Sequence, residues 1–147
     1  MAKVVAINIS KEKGIPKEQI EKGTFVENFG LEGDAHAGDW HRQISLLGQE
    51  SIDKIKALGM EELEAGNFAE NITTEGITLY ELPIGTRLKI GVTIQEVTQI
   101  GKECHQRCAI FHTVGDCVMP REGIFTRVIQ GGLVLPGDTI EIIEEDR

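Results

Sequence analysis

The sequence predicts a mainly β fold, in the form of a closed antiparallel β-barrel with one or two short helices. Three observations support this prediction. Nine short segments rich in β-branched or apolar residues are separated by Gly, Pro or other turn residues, as is typical of strands joined by turns. Only one stretch has clear helical periodicity. The 17 glycines are numerous enough to supply the tight bends at the corners of a barrel.

The strands are predicted from short β-branched runs bounded by turn residues. The last two flank the Pro136-Gly137-Asp138 turn, and we expect them to pair with each other as a closing hairpin. The predicted strands are residues 4–10, 24–29, 43–47, 77–79, 87–90, 92–100, 123–129, 133–135 and 139–143.

The predicted helix covers residues 49–58. Ile52, Ile55 and Leu58 recur at a spacing of three residues, which places them on one helical face. Gly59 follows directly, and glycine is the residue that most often ends a helix.

Composition indicates one domain, covering residues 1–147, that is soluble. A chain of 147 residues with 40% hydrophobic and 27% charged residues can bury a core without disulfide or metal support. The net charge of -9 argues against nucleic acid or an anionic membrane as partner. The N-terminal apolar run is too short for a secretion signal, and an odd number of cysteines suits a reducing compartment. A cytoplasmic protein is expected.

The strongest chemical signal is the pair of cysteines Cys104 and Cys108, which directly follows the predicted strand 92–100. Lys102, His105 and Arg107 lie beside them, and nearby cations favour the reactive thiolate over the thiol. The pattern fits a nucleophilic or metal-binding role. Two alternatives remain open: plain structural thiols, or a zinc site. The zinc ligands would be Cys104, Cys108, Cys117 and either His105 or His112.

Two further segments, residues 30–41 and 66–71, concentrate polar groups between predicted strands and helix. The first contains three glycines, two histidines and the only tryptophan of the chain. Glycine and polar residues in this density are typical of loops, which carry functional residues more often than buried elements do. Both segments are therefore candidate parts of a site.

Five segments in fixed order resemble a known family, and together they cover nearly the whole chain. They are Gly30-Leu-Glu-Gly-Asp-Ala-His-Ala-Gly, Gly66-Asn-Phe-Ala-Glu-Asn-Ile-Thr-Thr-Glu-Gly, Leu82-Pro-Ile-Gly-Thr-Arg-Leu-Lys-Ile-Gly, Val97-Thr-Gln-Ile-Gly-Lys-Glu-Cys and Val134-Leu-Pro-Gly-Asp-Thr-Ile. In this order they resemble the MOSC domain family, named for the C-terminal domain of molybdenum cofactor sulfurase, in its short stand-alone bacterial form.

The resemblance implies a β-barrel that binds the molybdenum cofactor (molybdopterin) through a cysteine. An ungapped match from Val97 onward makes Cys104 the metal ligand, whereas the Arg107-Cys108 pair makes Cys108 the equivalent residue. Both are therefore candidate catalytic residues. A thiolate is a soft ligand that suits molybdenum, and it is also the group that would carry sulfur as a persulfide.

Three further polar residues are candidate cofactor contacts. His36 would hydrogen-bond the pterin or shuttle a proton, and Glu70 and Asn71 would bind its amino and amide groups. The open alternatives are a loop histidine that packs locally at position 36 and a turn that is stabilised by Asn71. Basic side chains would hold the phosphate, because guanidinium matches phosphate oxygens in pairs. These are Lys102, Arg107 and Arg121.

The leading functional hypothesis is carriage, sulfuration or insertion of the molybdenum cofactor. The partners implied are a cysteine desulfurase, a cofactor-synthesis protein or a molybdoenzyme. A second hypothesis is a small molybdenum-dependent reductase of N-hydroxylated compounds, which would need an external electron donor. A third is a zinc-binding or structural β-barrel protein. Whether the chain is an enzyme, as a reductase or a sulfur transferase, stays open at this point.

Overall fold

The computed structural model describes residues 2–12, 17–61, 63–101 and 119–143. These residues form a mainly β structure in which β-strands predominate over short helices, as the sequence predicts. The strands are β1 Lys3–Ile9, β2 Glu18–Ile20, β3 Gly23–Val26, β4 Gly30–Leu31, β5 Ile44–Gly48, β6 Ile72–Glu75, β7 Arg87–Ile90, β8 Thr93–Ile100, β9 Ile124–Gln130, β10 Gly132–Val134 and β11 Ile140–Ile143. The helices are α1 Gln49–Lys56, a 3-10 helix Leu79–Glu81 and α2 Met119–Glu122.

The prediction of a closed antiparallel barrel is wrong. Eight strands form one open sheet in the order β11-β7-β8-β9-β5-β6-β1-β2, and β10, β3 and β4 form a second sheet. The large sheet is mixed, because β5 and β6 are parallel. An isolated bridge between Lys3 and Thr139 brings β1 near the start of β11 without pairing the two strands.

The parallel pair follows from the helix between its strands. A parallel connection needs a crossover, and α1 supplies it between β5 and β6. Ile52 and Ile55 of α1 are fully buried, as their spacing predicts. Leu58 lies beyond the end of α1 and is 54% exposed. The apolar face of the helix is therefore one turn shorter than the sequence predicts.

The predicted closing hairpin is also wrong. The two strands exist, but β10 pairs with β3 and β11 pairs with β7. The turn between them is held by β1 instead: Gly137 N donates to Val4 O at 2.7 Å, and Val4 N donates to Asp138 O at 2.8 Å. The turn therefore hydrogen-bonds to β1, and β10 and β11 pair with other strands rather than with each other.

The strand predicted at residues 77–79 is replaced by the 3-10 helix Leu79–Glu81, and the strand lies earlier, at Ile72–Glu75. Gly76 has a φ of 83° and donates its N–H to Glu50 Oε2 at 2.7 Å, which turns the chain after β6. The predicted strand and the observed strand therefore lie on opposite sides of this turn.

The core has two parts. The larger lies among the strands and includes the fully buried Leu46, Ile72, Leu88 and Ile124. The smaller lies between α1 and the sheet and includes Leu47, Ile52, Ile55 and Phe68. Across the described ranges, no helix is long and apolar enough to cross a bilayer.

Candidate functional site

Asp34 lies at the centre of the loop that follows β4, and its side chain is fully buried. Its Oδ1 accepts hydrogen bonds from Ser10 N at 3.1 Å and from Lys17 Nζ at 2.7 Å. Its Oδ2 accepts the backbone N–H of His36 at 3.0 Å. One carboxylate thus joins the end of β1, the segment before β2 and the glycine-rich loop.

Burial alone would raise the pKa of Asp34, because a carboxylate is less stable away from water. The hydrogen bonds that the carboxylate accepts from the Lys17 ammonium and from the Ser10 amide, together with the charge of Lys17, outweigh this effect. Together they hold the pKa of Asp34 well below its usual range, so the side chain is a carboxylate at neutral pH.

Lys17 is the cationic partner of this carboxylate and is only 3% exposed. Its ammonium lies within hydrogen-bonding distance of three groups: Asp34 Oδ1 at 2.7 Å, His36 Nδ1 at 3.1 Å and Ser10 Oγ at 3.2 Å. Each hydrogen of the buried ammonium therefore has an acceptor. Lys17 could not be singled out from the sequence, because a single lysine in a polar stretch carries no local sign that it is buried.

Ser10, Lys17, Asp34 and His36 form one polar cluster. His36 is its partly exposed member, with 29% of its side chain in contact with solvent. Its carbonyl oxygen accepts the Trp40 indole N–H at 2.8 Å, which fixes the far end of the loop. The predicted contact of His36 with a cofactor stays a prediction. The structure places the ring between a buried ion pair and solvent, where a ligand can reach it.

Glu70 is fully buried in the second polar loop. Its carboxylate accepts hydrogen bonds from Gly66 N at 3.0 Å, Phe68 N at 3.2 Å and Thr73 Oγ1 at 2.7 Å. Burial raises the pKa of Glu70, and these hydrogen bonds offset the effect only in part. The carboxylate closes the turn of its own loop.

Asn71 is also fully buried, and its side-chain amide joins three strands or strand ends. Its Oδ1 accepts from Ser45 N at 3.0 Å and from Ser45 Oγ at 3.2 Å, and its Nδ2 donates to Asn8 O at 3.3 Å. Asn8 in turn donates to Glu70 O at 3.1 Å. Direct cofactor contacts of Glu70 and Asn71 stay predictions, and the observed bonds make both residues supports of the surrounding backbone.

Gly66 connects the second loop to the ion pair. Its carbonyl accepts the Lys17 N–H at 2.8 Å, and its φ of 93° is one that side-chain-bearing residues rarely adopt. A Cβ at Gly66 would overlap the Lys17 carbonyl oxygen. Hydrogen bonds therefore run from the Glu70 carboxylate to Gly66 and from Gly66 to the Lys17 backbone. They hold the backbone of Lys17, whose side chain contacts His36.

The predicted cysteine site lies outside the described residues, but its two flanking strands are described. Ile100 at the end of β8 pairs with Ile124 at the start of β9, and Gly101 N donates to Gly123 O at 2.6 Å. Residues 102–118, called the cysteine segment below, connect these two strand ends. They include Cys104 and Cys108 and the predicted phosphate contacts Lys102 and Arg107, together with the alternative zinc ligands His105, His112 and Cys117.

The glycine-rich loop is attached to the same pair of strand ends. Thr98 Oγ1 of β8 donates to His41 O and lies 3.2 Å from Phe125 O of β9. The His41 ring nitrogen Nε2 lies 2.8 Å from Gln99 Oε1. The loop that carries His36 therefore ends beside the strands from which the cysteine segment departs.

Arg42 is a second basic residue that the sequence analysis missed. Its guanidinium carbon lies 4.6 Å from the centroid of the Trp40 ring and 5.6 Å from that of Phe125. Its Nε is buried and has no hydrogen-bond partner within the described part of the chain. A buried N–H without an acceptor is costly, and an anionic oxygen would satisfy it. Its position directly after Trp40-His41 in the glycine-rich loop was the available signal.

Arg121, the remaining predicted phosphate contact, is exposed on α2 at the other end of the cysteine segment. Its neighbour Glu122 is anchored by Ser51 Oγ at 2.6 Å and by Lys54 Nζ at 2.9 Å. Burial works against ionisation of Glu122, but these two donors lower its pKa overall.

A pocket of about 190 Å³ lies beside Glu122, between α1 and Tyr80.

The described residues contain no group of three or more His, Cys, Asp or Glu side chains that could hold a metal ion. Cys104 or Cys108 as the protein ligand for molybdenum stays a prediction. The unpaired Nε of Arg42 and the partly exposed His36 ring fit an anionic, acceptor-rich group. These two described side chains are thus compatible with the molybdenum cofactor.

Solved structures with the same fold are found among bacterial proteins. The YUAD protein from Bacillus subtilis is 21% identical, with a TM-score of 0.80, and the match covers 96% of this chain and 94% of that chain. YiiM from Geobacillus stearothermophilus is 22% identical, with a TM-score of 0.75 and coverage of 98% and 76%. YiiM from Escherichia coli is 18% identical, with a TM-score of 0.69 and coverage of 99% and 71%. At these identities the likeness shows a shared fold.

A comparison with curated proteins finds no match to this sequence. The family model of the MOSC domain matches residues 33–141, which include His36, the loop at residues 66–71 and the whole cysteine segment at residues 102–118. MOSC domains are associated with the molybdenum cofactor. The match spans well over half of the chain, and the chain therefore belongs to the MOSC domain family.

Proposed function

We propose that this protein binds the molybdenum cofactor and acts in its carriage, sulfuration or insertion, with Cys104 as the metal ligand. The observation that carries the proposal is the MOSC match over residues 33–141, because it includes the cysteine segment, residues 66–71 and His36. Cys108 is the alternative ligand. Its neighbour Arg107 would then lie beside the metal-binding sulfur.

The cofactor would supply a molybdenum centre that accepts a soft thiolate ligand. The contributions of the chain are binding and orientation. Arg42 offers an unpaired N–H and a positive charge to the phosphate, and His36 offers its exposed ring edge to the pterin. Lys102, Arg107 and Arg121 are the further proposed phosphate contacts, and Glu70 and Asn71 hold the backbone behind His36.

The cysteine assignment is tested by metal analysis of protein produced in a host that makes the cofactor. We expect molybdenum to copurify with the wild type and to be largely lost in Cys104→Ser, because a hydroxyl is a harder and less readily ionised ligand. Cys117→Ser is the matched control and should retain the metal. Molybdenum would be measured by inductively coupled plasma mass spectrometry on desalted protein.

Two results would change the assignment. Loss of molybdenum in Cys108→Ser, with Cys104→Ser unaffected, would move the ligand to Cys108. A wild-type protein that carries stoichiometric zinc and no molybdenum would overturn the proposed function and support the zinc-binding alternative.

The role of Arg42 gives a second prediction. Replacing Arg42 with Met should reduce retained molybdenum by about tenfold or more, because a charged hydrogen bond to the phosphate is lost. The methionine keeps an apolar stem against Trp40, so the melting temperature should change little. Retained metal would be measured after dialysis.

Arg127→Met is the control for the Arg42 variant. Arg127 lies on β9 and is exposed, and its Nε lies 3.0 Å from Glu96 Oε1, so it already has a partner. Equal losses in both variants would mean that general positive charge matters, and would argue against a specific contact at Arg42.

A further inference from the structure

The hydrogen-bonding capacity of Lys17 determines the state of the His36 ring. An ammonium group has three hydrogens and no acceptor. Its three close partners are Asp34 Oδ1, Ser10 Oγ and His36 Nδ1, at 2.7, 3.2 and 3.1 Å. Each hydrogen therefore has one acceptor. For the contact with His36 to be a hydrogen bond, Nδ1 must carry a free electron pair.

The competing arrangement has a hydrogen on Nδ1, donated to Asp34. The distance from His36 Nδ1 to Asp34 Oδ2 is 3.7 Å, which is beyond hydrogen-bond range. Oδ2 already accepts the backbone N–H of His36 at 3.0 Å. A hydrogen on Nδ1 would also face the ammonium of Lys17. The geometry thus favours an unprotonated Nδ1.

We propose that Lys17 is a positioning residue that keeps the hydrogen of the His36 ring on Nε2, because Nδ1 accepts a hydrogen bond from the Lys17 ammonium. The ring then presents a hydrogen-bond donor to the ligand, and the ligand atom that meets it is an acceptor: a carbonyl oxygen, a ring nitrogen or an anionic oxygen. This inference rests on the proposed function only for the identity of that ligand. Of the two roles predicted for His36, hydrogen bonding is favoured over proton shuttling, because the basic nitrogen is already engaged.

The tautomer is tested by two-bond ¹H–¹⁵N correlation spectra of the histidine rings at about pH 9, where an ordinary imidazole is neutral. The His36 signals are assigned by their absence in His36→Gln. We expect the ¹⁵N shift of Nδ1 to be that of an unprotonated nitrogen and that of Nε2 to be that of a protonated one. A protonated Nδ1 in the wild type would overturn the proposal.

Two variants then show whether Lys17 sets this state. In Lys17→Met, Nδ1 is released and Asp34 loses its cation, so we expect the hydrogen to move to Nδ1, where it can be donated to the carboxylate. If that variant does not fold, Lys17→Met/Asp34→Asn removes both charges, and we expect a mixture of the two tautomers. If the hydrogen of the His36 ring stays on Nε2 in the variant that folds, the proposed role of Lys17 is overturned. His41, whose ring contacts Gln99, is the internal control and should not change.

The donor role toward the ligand is tested by molybdenum content. The amide nitrogen of Gln reaches about the position of Nε2, whereas Asn is one methylene shorter. We expect His36→Gln to retain molybdenum within about twofold of the wild type and His36→Asn to lose several-fold, in line with one hydrogen bond. Equal retention would overturn the ligand contact and leave the proposed function standing. A wild type without molybdenum would overturn the proposed function, whereas the spectra would still decide the tautomer.

Discussion

Replacement of Asp34 with Asn should lower the free energy of unfolding by about 3–5 kcal/mol, because it leaves the buried Lys17 ammonium without its counter-charge. Asn nearly preserves the shape of Asp, so the change is mainly one of charge. The side chains of both residues are completely removed from solvent, and the ion pair measures 2.7 Å. Urea unfolding followed by circular dichroism at pH 7 measures the loss.

The pH dependence of this effect has a defined sign. Folding lowers the pKa of Asp34 below its ordinary value of 3.8. The stabilisation is therefore complete above about pH 4–5 and is lost as the pH falls toward the lowered pKa. The stability of the wild type should thus fall in acid more steeply than that of Asp34→Asn, and the difference between them should shrink.

The double variant Lys17→Met/Asp34→Asn is the control for this prediction. It removes both charges, so no uncompensated ion remains, and it should be more stable than Asp34→Asn alone. An Asp34→Asn variant that loses less than about 1 kcal/mol would show that the pair is solvated, contrary to its burial.

The second large effect is expected at Gly66, where alanine should cost roughly 2–5 kcal/mol of unfolding free energy. Two costs combine. The φ of 93° is unfavourable for a residue with a Cβ, and that Cβ would overlap the Lys17 carbonyl oxygen. The overlap cannot be relieved without moving the Lys17 backbone, and the cost of the positive φ remains in either case. The measurement is denaturant unfolding of the variant against the wild type.

Gly85→Ala separates the two costs. Gly85 has a φ of 95°, almost that of Gly66, but its added Cβ would meet no atom within 4 Å. It should therefore show the backbone cost alone, about 1–3 kcal/mol. Equal losses at the two positions would mean that the close approach between Gly66 and Lys17 is absent in solution.

Features set by nearby residues were predictable from the sequence. The spacing of Ile52 and Ile55 and the glycine at position 59 locate α1 to within two residues. The composition of residues 30–41 identified the loop that carries Asp34 and His36. The barrel and the closing hairpin were wrong, because strand pairing depends on residues far apart in the chain. The docking of β1 on the turn at Gly137 has no local signature.

In the candidate site, too, only features with a local signature could be predicted from the sequence. His36 was recognised from its loop, but its partner Lys17 is defined only by burial, which a sequence does not display. Glu70 and Asn71 were singled out as cofactor contacts, which stays a prediction, and in the structure their polar groups bond within the fold. Cys104 and Cys108 remain predictions, supported by the family match.

The side chain of Asn8 has a consequence for strand register. Asn8 lies on β1, and its Nδ2 donates to Glu70 O and to Thr73 Oγ1, both at 3.1 Å. Successive residues of a strand point to opposite faces, so a slip of β1 by one residue would turn Asn8 away from both acceptors. The same slip would displace Ser10, whose N–H binds Asp34. A chain with β1 out of register would thus lose the Asn8 bonds to Glu70 and Thr73 and the Ser10 bond to Asp34 together. Only the correct register of β1 therefore allows the polar groups around His36 to form all their hydrogen bonds.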